Sequence, residues 1–318
     1  MNANLLNYAC AASFLAASWM ANATPLRRAD IAGDPAWVAH IDCDRLRQSA
    51  IGEHILSEME KPQAQARLAT FQSTFGLDLR TQLHGLTVYS IGTASTEGVL
   101  VVYADFDAAK LVTLAQAAKD SQSTTYKQHT IYNWIDDSRK GHDGAERRVY
   151  AAIQGNRVVF GQREATVSKA LDVLDGTASN LSAGKAFPEL GASGDSNFLE
   201  AAARKLDLPD SNPNAAVFRL SKLMRLQIGE TKRQLTASLT LDADSEEVAN
   251  NMMSIVQGLV GLLKVQKEKP ETVQLAEALA IKQDGARVVV KLSLPANDAV
   301  QMIKAGEARK ATKKARKD

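Results

Sequence analysis

Apolar and polar positions along this chain fall into two passages that read in the same order. In the first, residues 149–153 read as a strand, Gln154-Gly155-Asn156 makes a tight turn, and Arg157-Val158-Val159-Phe160 returns as a second strand. A helix over 163–174 follows, with Val167, Leu171 and Leu174 at helical spacing and Gly176 closing it. In the second passage, residues 278–282 lead to Gln283-Asp284-Gly285, then to Ala286-Arg287-Val288-Val289-Val290, then to a helix starting near 295 that contains Val300 and Ile303.

The likeness extends upstream. Val101-Val102-Tyr103-Ala104-Asp105-Phe106-Asp107 and Leu239-Thr240-Leu241-Asp242-Ala243-Asp244 are each a strand running into Asp-x-Asp, and an Asp there can cap the free amides of a following helix. The pattern predicts those helices over 108–119 and 246–264, the second with Val248, Met252, Ile255, Leu259 and Leu262 on one stripe. Each half then reads strand, helix, hairpin, helix, the order of a split βαβ unit. The expected fold class is α+β: two related halves, each an antiparallel sheet backed by helices, in split βαβ or ferredoxin-like order.

Other segments fit around this frame. Residues 37–42 read as an opening strand and 44–60 as a helix. Residues 86–91 and 99–103 read as strands paired across 92–98. The Gly-, Ser- and Ala-rich stretch 179–196 reads as a linker. The expected layout is a signal peptide at 1–23, a first half at 24–178, the linker, a second half at 197–303, and a basic, disordered tail at 304–318.

Composition places this layout outside the cytoplasm. Residues 5–20 are apolar and small and precede Ala21-Asn22-Ala23, a small-x-small cleavage site, although no Lys or Arg opens the segment. Polar interruptions at Asn4, Asn7, Ser13 and Ser18 argue against a retained membrane anchor. The reading is therefore export, to the periplasm or the exterior. Cleavage leaves Cys43 as the one cysteine, so an apolar core rather than a disulfide holds the chain together. The net charge of +2 hides a basic end: Lys304, Arg309, Lys310, Lys313, Lys314, Arg316 and Lys317 face only Glu307 and Asp318, which makes that segment +5. Such a tail could hold an envelope protein or an anionic polymer. Nucleic acid is not an expected partner of an exported chain.

Candidate chemistry is sparse. His40-Ile41-Asp42-Cys43-Asp44 is the densest group, but no CxxC, HxxxH or HExxH pattern adds the ligands a zinc site needs. A buried structural Cys43 is the favoured reading. There is no GxGxxG or GxSxG, and Ser182-Ala183-Gly184-Lys185-Ala186 lacks the first glycine and the hydroxyl of a phosphate loop. No catalytic residue, cofactor or metal is therefore expected. Aromatic side chains gather between 124 and 148, where Tyr126, His129, Tyr132 and Trp134 form the candidate interaction surface. The competing reading makes 131–135 a plain strand, with Ile131, Asn133 and Ile135 on one face, Tyr132 and Trp134 on the other, and 136–146 a solvated loop.

Three segments together resemble a group of exported bacterial proteins of unknown function: Trp37-Val38-Ala39-His40-Ile41-Asp42 followed by Ile51-Gly52, then His129-Thr130-Ile131-Tyr132-Asn133-Trp134, then Ala170-Leu171-Asp172-Val173-Leu174-Asp175-Gly176. The resemblance spans residues 35–306 and implies export without any assigned chemistry. The resulting expectation is a non-enzymatic interaction or scaffold module of the cell envelope. Two others stand beside it: a hydrolase or metal-dependent enzyme built from His40, Asp42, His129 and Asp136, and a carrier of a small apolar ligand.

Overall fold

The computed structural model describes residues 24–92, 95–140, 146–191, 196–204, 215–266 and 269–315, so the expected signal peptide lies outside the described residues. The first half opens with β1 (Trp37–Asp42), α1 (Cys43–Arg47), α2 (Ala50–Met59) and α3 (Pro62–Phe75). It continues through β2 (Leu83–Ser90), β3 (Gly98–Ala104), α4 (Ala108–Ala117), β4 (Gln122–Tyr126), β5 (His129–Lys140), β6 (Glu146–Gln154), β7 (Arg157–Gly161) and α5 (Glu164–Leu174). The second half comprises β8 (Asn197–Arg204), α6 (Ala215–Leu220), β9 (Leu223–Thr231), β10 (Gln234–Asp242), α7 (Glu246–Lys264), α8 (Pro270–Glu277), β11 (Leu279–Asp284), β12 (Arg287–Pro295) and α9 (Ala296–Ala315).

The described strands form one antiparallel sheet of twelve, ordered β11-β12-β10-β9-β8-β1-β2-β3-β7-β6-β5-β4. Pairing of β1 with β8, in a register that sets Val38 opposite Ala202, fuses the sheets of the two halves edge to edge. Within each half the strands lie in the same order, β1-β2-β3-β7-β6 and β8-β9-β10-β12-β11. In both, the last strand of the closing hairpin inserts beside the first hairpin, which is the split βαβ arrangement. The two closing hairpins also turn alike: Gly155 and Gly285 take φ of +60° and +54°, a left-handed conformation that glycine adopts without steric cost.

The halves differ in width. The first carries an extra hairpin, β4–β5, so the chain leaving β3 through α4 must cross β7, β6 and β5 before it re-enters the sheet. In the second half, α7 and α8 cross β12 alone.

Side-chain alternation gives the sheet two faces. On one, Val99, Val101, Tyr103, Ile131, Ala152 and Val159 pack beneath α5 and the segments before β1 and after α5. On the opposite face, the second half packs α7 on Leu241 and Val288, and α9 on Leu235 and Leu294.

Four expectations change on contact with this structure. The helix over 44–60 breaks at Gln48 and Ser49, because the Ser49 hydroxyl accepts the Gly52 amide at 3.0 Å and starts α2 afresh. A side chain at Gly52 would meet the Leu46 carbonyl oxygen, so the tight corner requires glycine. The solvated loop over 136–146 is shorter, since β5 runs on to Lys140 and β6 starts at Glu146.

The linker is packed rather than free. Leu181, Phe187 and Leu190 are buried in the first half's core. The Arg28 guanidinium donates to the carbonyls of Leu181, Ala186, Phe187 and Leu190 at 2.7–3.3 Å. Finally, the basic segment is no disordered tail through Ala315, because α9 continues to that residue. Its Ala, Lys, Arg and Glu residues are strong helix formers, and the buried turn at Ala296, Ala299 and Val300 supplies the nucleus. Arg309 adds an ion pair with Glu271 of α8.

Candidate functional site

The residues that could have built an enzyme site do not meet. His40 and Asp42 lie on β1 and His129 on β5, five strand spacings away, or about 24 Å. Each is occupied locally. His40 is buried, with Nε2 2.9 Å from the Thr24 carbonyl and Nδ1 2.8 Å from the Thr87 hydroxyl. Burial pushes its pKa below the ordinary histidine value, so the ring is neutral, donating through Nε2 and accepting at Nδ1. Asp42 caps α1 by accepting the Arg45 amide at 2.9 Å. Burial raises the Cys43 thiol to about 11, which keeps it protonated and unreactive at neutral pH. The structure thus corrects the assembled His/Asp site and bears out the packing role of Cys43.

The candidate surface on β4 and β5 divides between the two faces of the sheet. Tyr126 and His129 are cross-strand partners and point the same way, toward α5. The Tyr126 hydroxyl donates to Asp172 at 2.9 Å, and His129 Nε2 reaches Asp175 at 2.7 Å. These two residues clasp the end of α5. Tyr132 and Trp134, one position out of phase with His129, point to the opposite face.

There they join a cavity of about 340 Å³. Its floor is Tyr132 and Trp134 of β5, Ala151 and Ile153 of β6, and Val158 and Phe160 of β7. Its roof is the end of α3, with Phe75, and one side of α4, with Leu111, Leu114, Ala115 and Ala118. Four aromatic rings and a run of aliphatic chains make the lining almost wholly apolar. The lining residues that carry a polar side-chain group are Thr74, Tyr132 and Trp134. Neither α3 nor α4 has a fully buried residue.

The geometry follows from the extra hairpin. From β3 to β4 the chain must span four strand spacings, about 19 Å, yet ten residues of α4 make a rod of about 15 Å. The helix cannot cover the widened sheet, and α3 closes only part of the remainder. Positions 111, 114, 115 and 118, spaced i, i+3, i+4 and i+7, are a helical stripe visible in the sequence that sequence reasoning passed over. Phe75 lies in a segment whose mean apolar periodicity is weak and offered no such signal.

A pocket of this size and lining can hold a small apolar molecule. Among the described residues no helix is long and apolar enough to cross a membrane. No known protein family and no curated protein matches the chain. Among solved structures, three crystal forms of TP0453 are similar. Form III has a TM-score of 0.46 at 13% identity, covering 90% of this chain and 99% of that one. Form I has a TM-score of 0.45 at 12% identity with the same coverage. Form IV has a TM-score of 0.42 at 13% identity, covering 90% of this chain and 98% of that one. At that distance no site residue and no activity carries over.

Proposed function

We propose that this protein is a non-enzymatic binding module that takes an apolar molecule, such as a single alkyl chain, into the cavity between α4 and the β5–β6–β7 floor. The cavity itself carries the reading: an open, aromatic-lined space of about 340 Å³ beneath two helices that bury no residue fully. Burial of apolar surface, at about 25 cal/mol per Å², is the available driving force. The few polar groups at its edge would orient a headgroup rather than bind it tightly.

Export forms part of the same proposal, resting on the apolar segment and small-x-small site at 1–23 and on the resemblance to exported bacterial proteins. In an envelope, an apolar cargo and a helix ending in a cluster of cations suit work beside anionic surfaces.

Titration with the neutral dye N-phenyl-1-naphthylamine, and its displacement by dodecanoate, tests the cavity. Saturable one-to-one binding is expected, lost at least tenfold in Ala115→Trp, whose indole would fill the space. Binding that does not saturate, or that Ala115→Trp leaves unchanged, would overturn the proposal.

A further inference from the structure

His54 is a buried polar side chain with no hydrogen-bond partner. It lies on α2, only 6% exposed, and neither ring nitrogen is hydrogen-bonded. A buried imidazole left in that state is unusual, since nearly all such groups are satisfied by protein, water or an ion. Its surroundings offer ligands for the third of these. Glu58 follows one turn later on the same face of α2. Glu307 approaches from α9, which packs against α2. One ligand atom from each of the three lies within 4.8 Å of the others.

The spacing is informative. His54 Nε2 is 3.7 Å from Glu307 Oε2, too far for a hydrogen bond. Two ligands held at about 2.1 Å from one tetrahedral ion stand about 3.4 Å apart. The nitrogen and oxygen are therefore separated as co-ligands are, rather than as a bonded pair. Both carboxylates are on half-exposed side chains that can rotate to close the remaining distance. Lys61 pairs with Glu58, but an exposed pair of this kind is weak and yields to a divalent ion.

We infer that His54, Glu58 and Glu307 bind a divalent transition-metal ion, with water completing its coordination. One imidazole and two carboxylates suit Zn²⁺ or Mn²⁺ and disfavour soft ions such as Cu⁺. The ion joins a helix of the first half to the last helix of the second. It therefore fastens α9, and the cations beyond it, to the body of the protein. This inference is independent of the apolar cavity, which lies under different helices.

The test is calorimetric titration of the untagged, EDTA-stripped full chain with Zn²⁺, followed by thermal unfolding with and without the ion. One equivalent should bind, and excess Zn²⁺ should raise the unfolding midpoint by a few degrees. Glu307→Gln, at an exposed position that does not endanger folding, should weaken binding at least about tenfold and remove the thermal shift. Glu247→Gln, an exposed carboxylate on α7 outside the site, should leave both unchanged. Absence of Zn²⁺ binding at micromolar concentration would overturn the inference, as would unchanged affinity in Glu307→Gln.

Discussion

Helices α4 and α7 hold the same place in the two halves, each leaving the second strand of a hairpin to cross the same face of the sheet. They arrive at opposite results. Nineteen residues of α7, about 28 Å of helix, cross a single strand and bury Ala249, Met252 and Val256 against Leu241 and Val288. Ten residues of α4 face three strands and bury none fully, leaving the cavity. At matched floor positions, Val288 is buried and Val290 packs against the same core, whereas Val158 and the half-buried Phe160 line the cavity. One topology gives a sealed core or a pocket according to how far its crossover must reach.

The largest expected difference lies in truncation. Met252→Ala, at a fully buried site, should cost about 2–5 kcal/mol of unfolding free energy. Leu114→Ala, at the edge of an existing cavity, should cost under about 1.5 kcal/mol, because little packing is lost. Urea denaturation of both variants checks this, and equal costs would mean that α4 is packed as tightly as α7.

Next is the sealed face of the first half, where Arg28 bonds four carbonyls of the packed connection. Arg28→Ala leaves these without their donor and should cost about 2–3 kcal/mol, read by the same method. A connection that behaved as a free linker would show almost no effect.

Enlargement should give opposite signs in the two places. Ala115→Leu fills cavity space and should stabilise by about 0.5–1.5 kcal/mol while weakening dye binding. Ala249→Leu overpacks the α7 seam and should cost about 1–3 kcal/mol. Thermal unfolding compares the pair directly.

The smallest effect is in pH. Burial lowers the His40 pKa, so the unfolded chain takes up this proton first and stability falls as pH drops below about 6.5. His84 acts in the other direction. Burial lowers its pKa, but contacts to Asp105 and Asp44 raise it more, so its contribution is full below about 6.5 and is lost as pH rises through the folded value. His40→Gln should therefore flatten the acid-side loss and His84→Gln should steepen it, each by at most about 1.4 kcal/mol per pH unit. Denaturant midpoints measured from pH 5 to 8 would decide the signs.

Local patterns were read where a residue's role depends on near neighbours. The closing hairpins at 154–157 and 284–287 and the cap at Asp107 each depend on a few adjacent residues, and each forms as its pattern predicts. The helix over 246–264 also forms, but its buried face runs through Ala249, Met252 and Val256, turned from the expected stripe, and Leu262 is 63% exposed. Strand alternation likewise separated Tyr132 and Trp134 from Ile131 and Asn133. Reading failed where a distant partner decides. Segment 179–191 has a linker's composition, yet Arg28 and the core hold it down. His54 and Glu58 are one turn apart in the sequence, but Glu307 joins them only because α9 returns to α2.

The chain by itself determined its two closing hairpins, the helices that follow the Asp-x-Asp strands, the matching order of its halves and its α+β class, because turns, caps and periodicity act over a few residues. Tertiary structure alone decided that β1 would pair with β8, that an added hairpin would widen one half, and that α4 would fall short of covering it. A cavity is the difference between a sheet's width and a helix's reach, and neither is set until the strands have paired.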